Sequence, residues 1–350
     1  MAQAKVGNVR VRGLVSCAPS RVVSNLDCPP EKRPERERLV RNIGILTRRV
    51  CAPGQVFSDL AAKAAEELLR GLNWSPSEVD ALIVVTQSPD YPIPATAIIL
   101  QDRLGLPHSA LAFDVNLGCS GYPYGLYILS SMIARGGLRK GIVLIGDKSS
   151  NPESLDNGLL SLFGDAATAT ALEFDETAPD MYFHFGSDGS GYKAIIIPAG
   201  GQRIPMQPDH LQRLLGEDGI SRKGTDVVLD GPAILNFSIR EVPPAVTALL
   251  KSSPYSVDDI DYFVFHQANR MINETIRKKL GLPEAKVPSS LHEYGNTSSA
   301  SVPITMTVRL REAILAGRVR LLMSGFGVGL SWASCIAEFD RPYFPPLVEL

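Results

Sequence analysis

Three residues, a thiol, an imidazole and an amide, stand where a chain can carry out nucleophilic chemistry. Cys119 lies between two glycines in NLGCSGY (116–122), directly after the apolar run 111–115. His266 follows the apolar run DYFVF (261–265), and Asn296 follows Gly295 in EYGNTSSAS (293–301). A thiol at the start of a helix sees the positive end of the peptide dipoles, which lowers its pKa and favours the nucleophilic thiolate. Gly118 and Gly121 are expected to let a substrate approach the backbone. A histidine at the C-terminal end of a strand occupies the place where open α/β sheets put functional side chains. Singly, each has a plainer reading: a small packing residue, a satisfied core imidazole, a turn. Their weight comes from sharing one kind of position, in loops at strand or helix ends.

The elements that hold them follow from a repeat. LLRGLNWSPSEVDALIVVTQ (68–87) matches LLKSSPYSVDDIDYFVFHQ (249–267), each reading as a helix end, a short linker and a buried strand. LGLP occurs at 104–107 and again at 280–283, GIVLIG (141–146) answers RVRLLMSG (318–325), and FGDAATATALEFD (163–175) answers GFGVGLSWASCIAEFD (325–340). Several elements in one shared order point to a duplication. Two halves are therefore expected, 1–175 carrying Cys119 and 176–350 carrying His266 and Asn296. Each alternates strands with helices, and two such halves packed together give a layered α-β-α-β-α body of the α/β class. Counted from each LGLP, Cys119 and Gly295 are equivalent, so the site should lie between the halves.

Composition narrows the setting. The 350 residues are 45% hydrophobic and 21% charged with a formal net charge of −2, which suits a globular chain with a large core and argues against nucleic acid as partner. No run approaches the roughly 18 apolar residues of a membrane span, and MAQAKVGNVRVRG lacks a secretory signal, so a cytoplasmic location is expected. The five cysteines (17, 28, 51, 119 and 335) show neither a CxxC pair nor zinc spacing and are read as free thiols.

NLGCSGY, VFHQANRMI, EYGNTSSAS and SGFGVGLSWAS, in this order and spacing, resemble the β-ketoacyl-ACP synthase III branch of the thiolase superfamily. The resemblance covers nearly the whole chain and implies the five-layered thiolase fold. It implies that Cys119 takes an acyl group from an acyl-CoA or acyl-ACP thioester. His266 and Asn296 would then hold the thioester carbonyl of a malonyl-ACP-type extender as carbon dioxide leaves. Thioester exchange also needs an oxyanion hole, for which the backbone N–H groups of Cys119 and Val328 are candidates. An amide at 296 suits decarboxylative condensation, whereas a carboxylate would suit a hydroxyl nucleophile. A thiolase's second cysteine would lie in the GFGVG loop, which has none, and Cys335 reads as core. The catalytic glutamate of hydroxymethylglutaryl synthases has no counterpart between Tyr91 and Lys148. Two other readings are an acyltransferase to an alcohol or amine, and a non-catalytic subunit of a condensing heterodimer.

The chain also departs from the family pattern. Where the family's W-x-x-x-R-T-G-I segment clamps the adenine of coenzyme A, RLVRNIGI (38–45) has Arg38 and Asn42, so a primer delivered on a carrier protein or by a partner enzyme is expected as readily as acetyl-CoA. By the same resemblance, Arg270, Arg277, Lys278 and Lys279 are candidates for docking the acyl carrier protein. Ile93 stands where many members place an aromatic that caps the acyl pocket across a homodimer. Val328 replaces a family glycine and would narrow that pocket. No metal or redox cofactor is implied.

Overall fold

The computed structural model describes residues 2–135, 137–150, 161–216 and 219–350. Its main strands, in chain order, are β1 (Ala2–Val6), β2 (Val9–Ala18), β3 (Ala81–Val85), β4 (Leu111–Val115), β5 (Lys140–Asp147) and β6 (Ala166–Phe174). The second set is β7 (Met181–Ser187), β8 (Tyr262–Phe265), β9 (Arg318–Gly327), β10 (Ser331–Asp340) and β11 (Val348–Glu349). They form one sheet of order β11-β2-β6-β5-β3-β4 and another of order β1-β7-β10-β9-β8. Within each, the same series recurs. β3 runs parallel to β5 as β8 does to β9, and β5 meets β6 antiparallel as β9 meets β10. β2 and β7 then close the series, each antiparallel to its neighbour.

The chain ends are exchanged between the sheets. β1 pairs with β7 of the second sheet, while β11 pairs with β2 of the first. Each end thereby covers the outer strand of the sheet built mainly by the opposite half, leaving fewer unpaired backbone groups there.

Helices α1 (Arg33–Ile43), α2 (Phe57–Leu72), α3 (Thr96–Arg103), α4 (Gly121–Arg135), α5 (Gly231–Ser252) and α6 (Arg270–Lys279) supply most of the remaining layers. In α2 the small and apolar residues recur every three or four positions, so Leu60, Ala61, Ala64, Ala65 and Leu68 form one buried face. That face and α3 seal the outer side of the first sheet. α4 and the helical run 301–316 fill the space between the sheets, and α5 and α6 cover the outer side of the second. Five layers result. Buried on both faces, β3 can be apolar at every position, which explains why its sequence lacks polar alternation. Helix α1, drawn from the charge-dense segment, buries no residue at all.

Candidate active site

The turn 116–120 carries Cys119 from β4 into α4, in the middle layer between the two sheets, and leaves it 7% exposed. The end of β9 fits against it. A Cβ at Gly325 would stand 2.5 Å from the Cys119 carbonyl oxygen, and one at Gly327 (φ +158°) 2.9 Å from Sγ. Gly325 makes room for the Cys119–Ser120 backbone, and Gly327 makes room at the thiol itself. A Cβ at Gly118 would meet Gln87 Oε1 at 2.4 Å, and one at Gly121 would meet Val85 Cγ1 at 2.7 Å. Gly118 and Gly121 therefore allow close packing of the turn against Gln87 and Val85. Gly327→Ala is expected to displace the sulfur and slow acylation of Cys119 by about 10²-fold, as misplaced reacting atoms do. A time course of adduct mass that matches wild type would contradict this.

The backbone N–H groups of Val328 and of Cys119 itself both point at Sγ, and Ser298 Oγ lies 4.0 Å from it. The thiol is nevertheless not acidic. Burial pushes it up to about 11, and the negative charge of Asp147 adds to the rise, against the smaller pull of Ser298 and the two N–H groups. Position at a helix start implied the opposite, and desolvation overrides it.

His266 directly follows β8, its N–H donating to the Ser324 carbonyl at 2.8 Å. Its ring is 2% exposed, with Nδ1 2.7 Å from Ser301 Oγ and the Phe326 ring set edge-on at 5.4 Å. Burial holds its pKa down at about 3, so the imidazole is neutral at physiological pH. Its described partners are the Ser301 hydroxyl and the Ser298 backbone, unlike the carboxylate that orients a hydrolase histidine.

Asn296 is fixed by the opposite half. Its N–H donates to Leu162 O at 2.8 Å, and its carbonyl accepts from Gly164 N at 3.0 Å. The buried Arg48 donates to Phe163 O at 3.0 Å and Asn25 Oδ1 at 3.1 Å, while its Cγ stands 2.9 Å from where a Gly295 Cβ would be. Asn296 Oδ1 accepts from Ser298 N at 2.9 Å, which leaves the Nδ2 donors for a ligand. Ser298 is the hub. Held at φ +50°, it touches Asn296 through its N–H and Cys119 through its hydroxyl, and its backbone acts on the His266 ring.

The remaining sequence candidates lie apart. Ile93 is 84% exposed on the loop before α3. Arg270 opens α6 against the end of α1, since a Cβ at Gly44 would meet Arg270 Cβ at 2.7 Å. Arg277 pairs with Glu274 at 2.8 Å and donates to Leu282 O, Lys278 is exposed, and Lys279 Nζ is 3.4 Å from Ile239 O. Cys335 is buried within β10, as its core reading expected. Sequence reasoning missed Ser298, Ser301 and Asp147. The first two sit inside the quoted EYGNTSSAS motif, and Asp147 ends a strand, which was a usable signal.

A model for 3-oxoacyl-[acyl-carrier-protein] synthase III matches residues 113–189, and its C-terminal companion matches 250–339. These spans take in Cys119, His266 and Asn296. The β-ketoacyl-[acyl-carrier-protein] synthase III of Symbiobacterium thermophilum is 34% identical over 96% of this chain and 100% of its own. The chain belongs to the β-ketoacyl-ACP synthase III family. It is a condensing acyltransferase with the thiolase fold. The 3-oxoacyl-(acyl-carrier protein) synthase of Burkholderia xenovorans LB400 superposes with a TM-score of 0.91 at 36% identity, covering 100% of this chain and 99% of its own. The priming β-ketosynthase of the R1128 polyketide pathway does so with a TM-score of 0.79 at 26% identity, covering 97% of this chain and 98% of its own.

Proposed function

We propose that this synthase III takes an acyl group onto Cys119 from an acyl-CoA or acyl-carrier thioester and condenses it with a malonyl-type extender on acyl carrier protein. The observation that carries this reading is the convergence of a thiol, a neutral imidazole and an amide on Ser298. In the first half-reaction the sulfur attacks the thioester carbonyl, and the N–H groups of Cys119 and Val328 stabilise the oxyanion. In the second, His266 and Asn296 donate hydrogen bonds to the extender's thioester oxygen. Loss of carbon dioxide leaves an enolate, whose carbon attacks the acyl-cysteine and releases the thiolate. Neutral donors suit this step because they stabilise developing negative charge without first handing over a proton.

The carrier would approach across α1 and α6. Arg270, Lys278 and Lys279 remain for docking, whereas Arg277 is occupied by Glu274 and Leu282. Arg38 and Asn42, both exposed on α1, supply no aromatic face for adenine, which favours a carrier-bound primer. β4 is a half-exposed sheet edge, and near it Tyr91, Ile93, Ile98 and Leu111 are exposed. Pairing of two β4 edges would form a homodimer and bring Ile93 to the partner's acyl pocket. Among the described residues no helix is long and apolar enough to cross a membrane. We place the enzyme in the cytoplasm, where its thiols stay reduced.

Incubation with matched acetyl, branched and medium-chain primers, each on coenzyme A and on carrier protein, followed by intact-mass spectrometry, tests the reading. One acyl adduct per chain is expected, preferentially from the carrier-bound, longer or branched primers. Acetyl-CoA alone giving the adduct would overturn the primer assignment, and no adduct from any thioester would overturn the function.

A further inference from the structure

Acylation requires the Cys119 thiol to lose its proton, and the site must hold an acceptor. His266 is a poor one, because its buried ring is held at about 3 and its Nδ1 is engaged by Ser301. The other titratable group that acts on the thiol is Asp147, at the end of β5 and 2% exposed. Its Oδ1 is anchored by Gln87 N at 2.6 Å, Thr86 Oγ1 at 3.0 Å and Ser88 Oγ at 3.4 Å. Its Oδ2 is buried and, among the described residues, meets the strict hydrogen-bond geometry with none. A carboxylate oxygen left bare in the interior is costly and calls for a role. The Ser298 hydroxyl lies beside this carboxyl, close enough to favour its ionised form, and is 4.0 Å from the sulfur.

We propose that Asp147 is the proton acceptor for Cys119, acting through the hydroxyl of Ser298. As the sulfur attacks, its proton passes to Ser298 Oγ while the Ser298 proton passes to Asp147 Oδ2. The S–C bond to Cys119 forms, the thioester C–S bond breaks, and the departing thiolate takes the proton back along the same path. The transfer removes the negative charge that opposes thiolate formation at the moment an oxyanion develops beside it. Burial raises Asp147 to about 6, near the range where a general base works at neutral pH. The sulfur-to-hydroxyl distance is long, as such contacts often are before substrate binds. Among the described residues, the other titratable groups near the pair are otherwise engaged: His266 is neutral, Asp165 accepts from Cys51 N and from Ser150, and Lys148 acts on Cys51.

This inference rests on Cys119 being the acylated residue. The test is the single-turnover acylation rate from pH 5 to 10 in wild type, Asp147→Asn and Ser298→Ala, with thermal melts to verify folding. Wild type is expected to gain rate through pH 6 and level off. Both variants are expected to lose about 10²-fold at pH 7 and to gain rate steadily into the alkaline range, with the double variant no slower than either. Were Asp147 only a nearby charge, Asp147→Asn would lower the thiol pKa and speed acylation at pH 7, which overturns the proposal. A uniform loss that leaves the pH profile unchanged means a merely structural role and overturns it too. If Asp147→Asn does not fold, Ser298→Ala decides alone. Wild type that forms no Cys119 adduct would refute the reading of the site, whereas adduct formation at wild-type rates in both variants would refute only the relay.

Discussion

Cys119→Ala is expected to abolish acyl-enzyme formation and cut condensation by about 10³-fold or more while leaving decarboxylation of the malonyl thioester running. The sulfur is the atom that would bond the acyl group, so no neighbour compensates for its loss. Of the other four cysteines, Cys17 and Cys335 are pushed far up by burial, Cys51 by burial together with the neighbouring Asp165, and Cys28 stands outside the site on the segment before α1. His266 and Asn296 are held by Ser301, Ser298 and the backbone of 162–164, none of which depends on the thiol. The measurement is a pair of assays on one preparation: intact mass after exposure to primer, and carbon dioxide release from the extender. An adduct surviving in the variant would move the nucleophile elsewhere. Loss of both activities would mean that the cysteine also supports the extender's site.

Periodicity and internal similarity made the architecture readable because each repeated segment became the same strand in the same place. DALIVV and DYFVF are β3 and β8, and GIVLIG and RVRLLMSG are β5 and β9, with β3 parallel to β5 in one sheet as β8 is to β9 in the other. What the sequence did not reveal depends on contacts between the halves. The exchange of β1 and β11 is invisible locally, since neither short strand carries a pattern that names its partner. The wrong direction for the Cys119 thiol has the same origin. Its helix start is a local feature, but the burial that wins, and the Asp147 charge that adds to it, come from residues distant in sequence. Ser298 is the sharpest case. It is one of several small polar residues in NTSSAS, and only the left-handed backbone shows that this serine meets the thiol.

The donors to the extender should fail in the opposite half-reaction from Cys119. His266→Ala and Asn296→Ala are each expected to slow decarboxylation by about 10²–10³-fold, the usual cost of deleting one donor to a developing oxyanion. Acylation of Cys119 should stay within a few-fold of wild type, because the N–H groups of Val328 and Cys119 serve that step instead. The two variants should not be equivalent in detail. Asn296 Oδ1 also receives the Ser298 N–H, so its loss loosens the hub, whereas His266 reaches the hub only through its ring. Asn296→Ala should therefore show the larger secondary effect on acylation. The pH dependence separates a neutral donor from a charged one. With its pKa held at about 3, His266 is already neutral below its ordinary titration range, so decarboxylation should show no histidine limb between pH 5 and 8. A rate that rises with falling pH through about 6.5 would mean that the working form is imidazolium. In that case the extender itself would have to raise the ring's pKa on binding, by bringing its carboxylate within reach of His266.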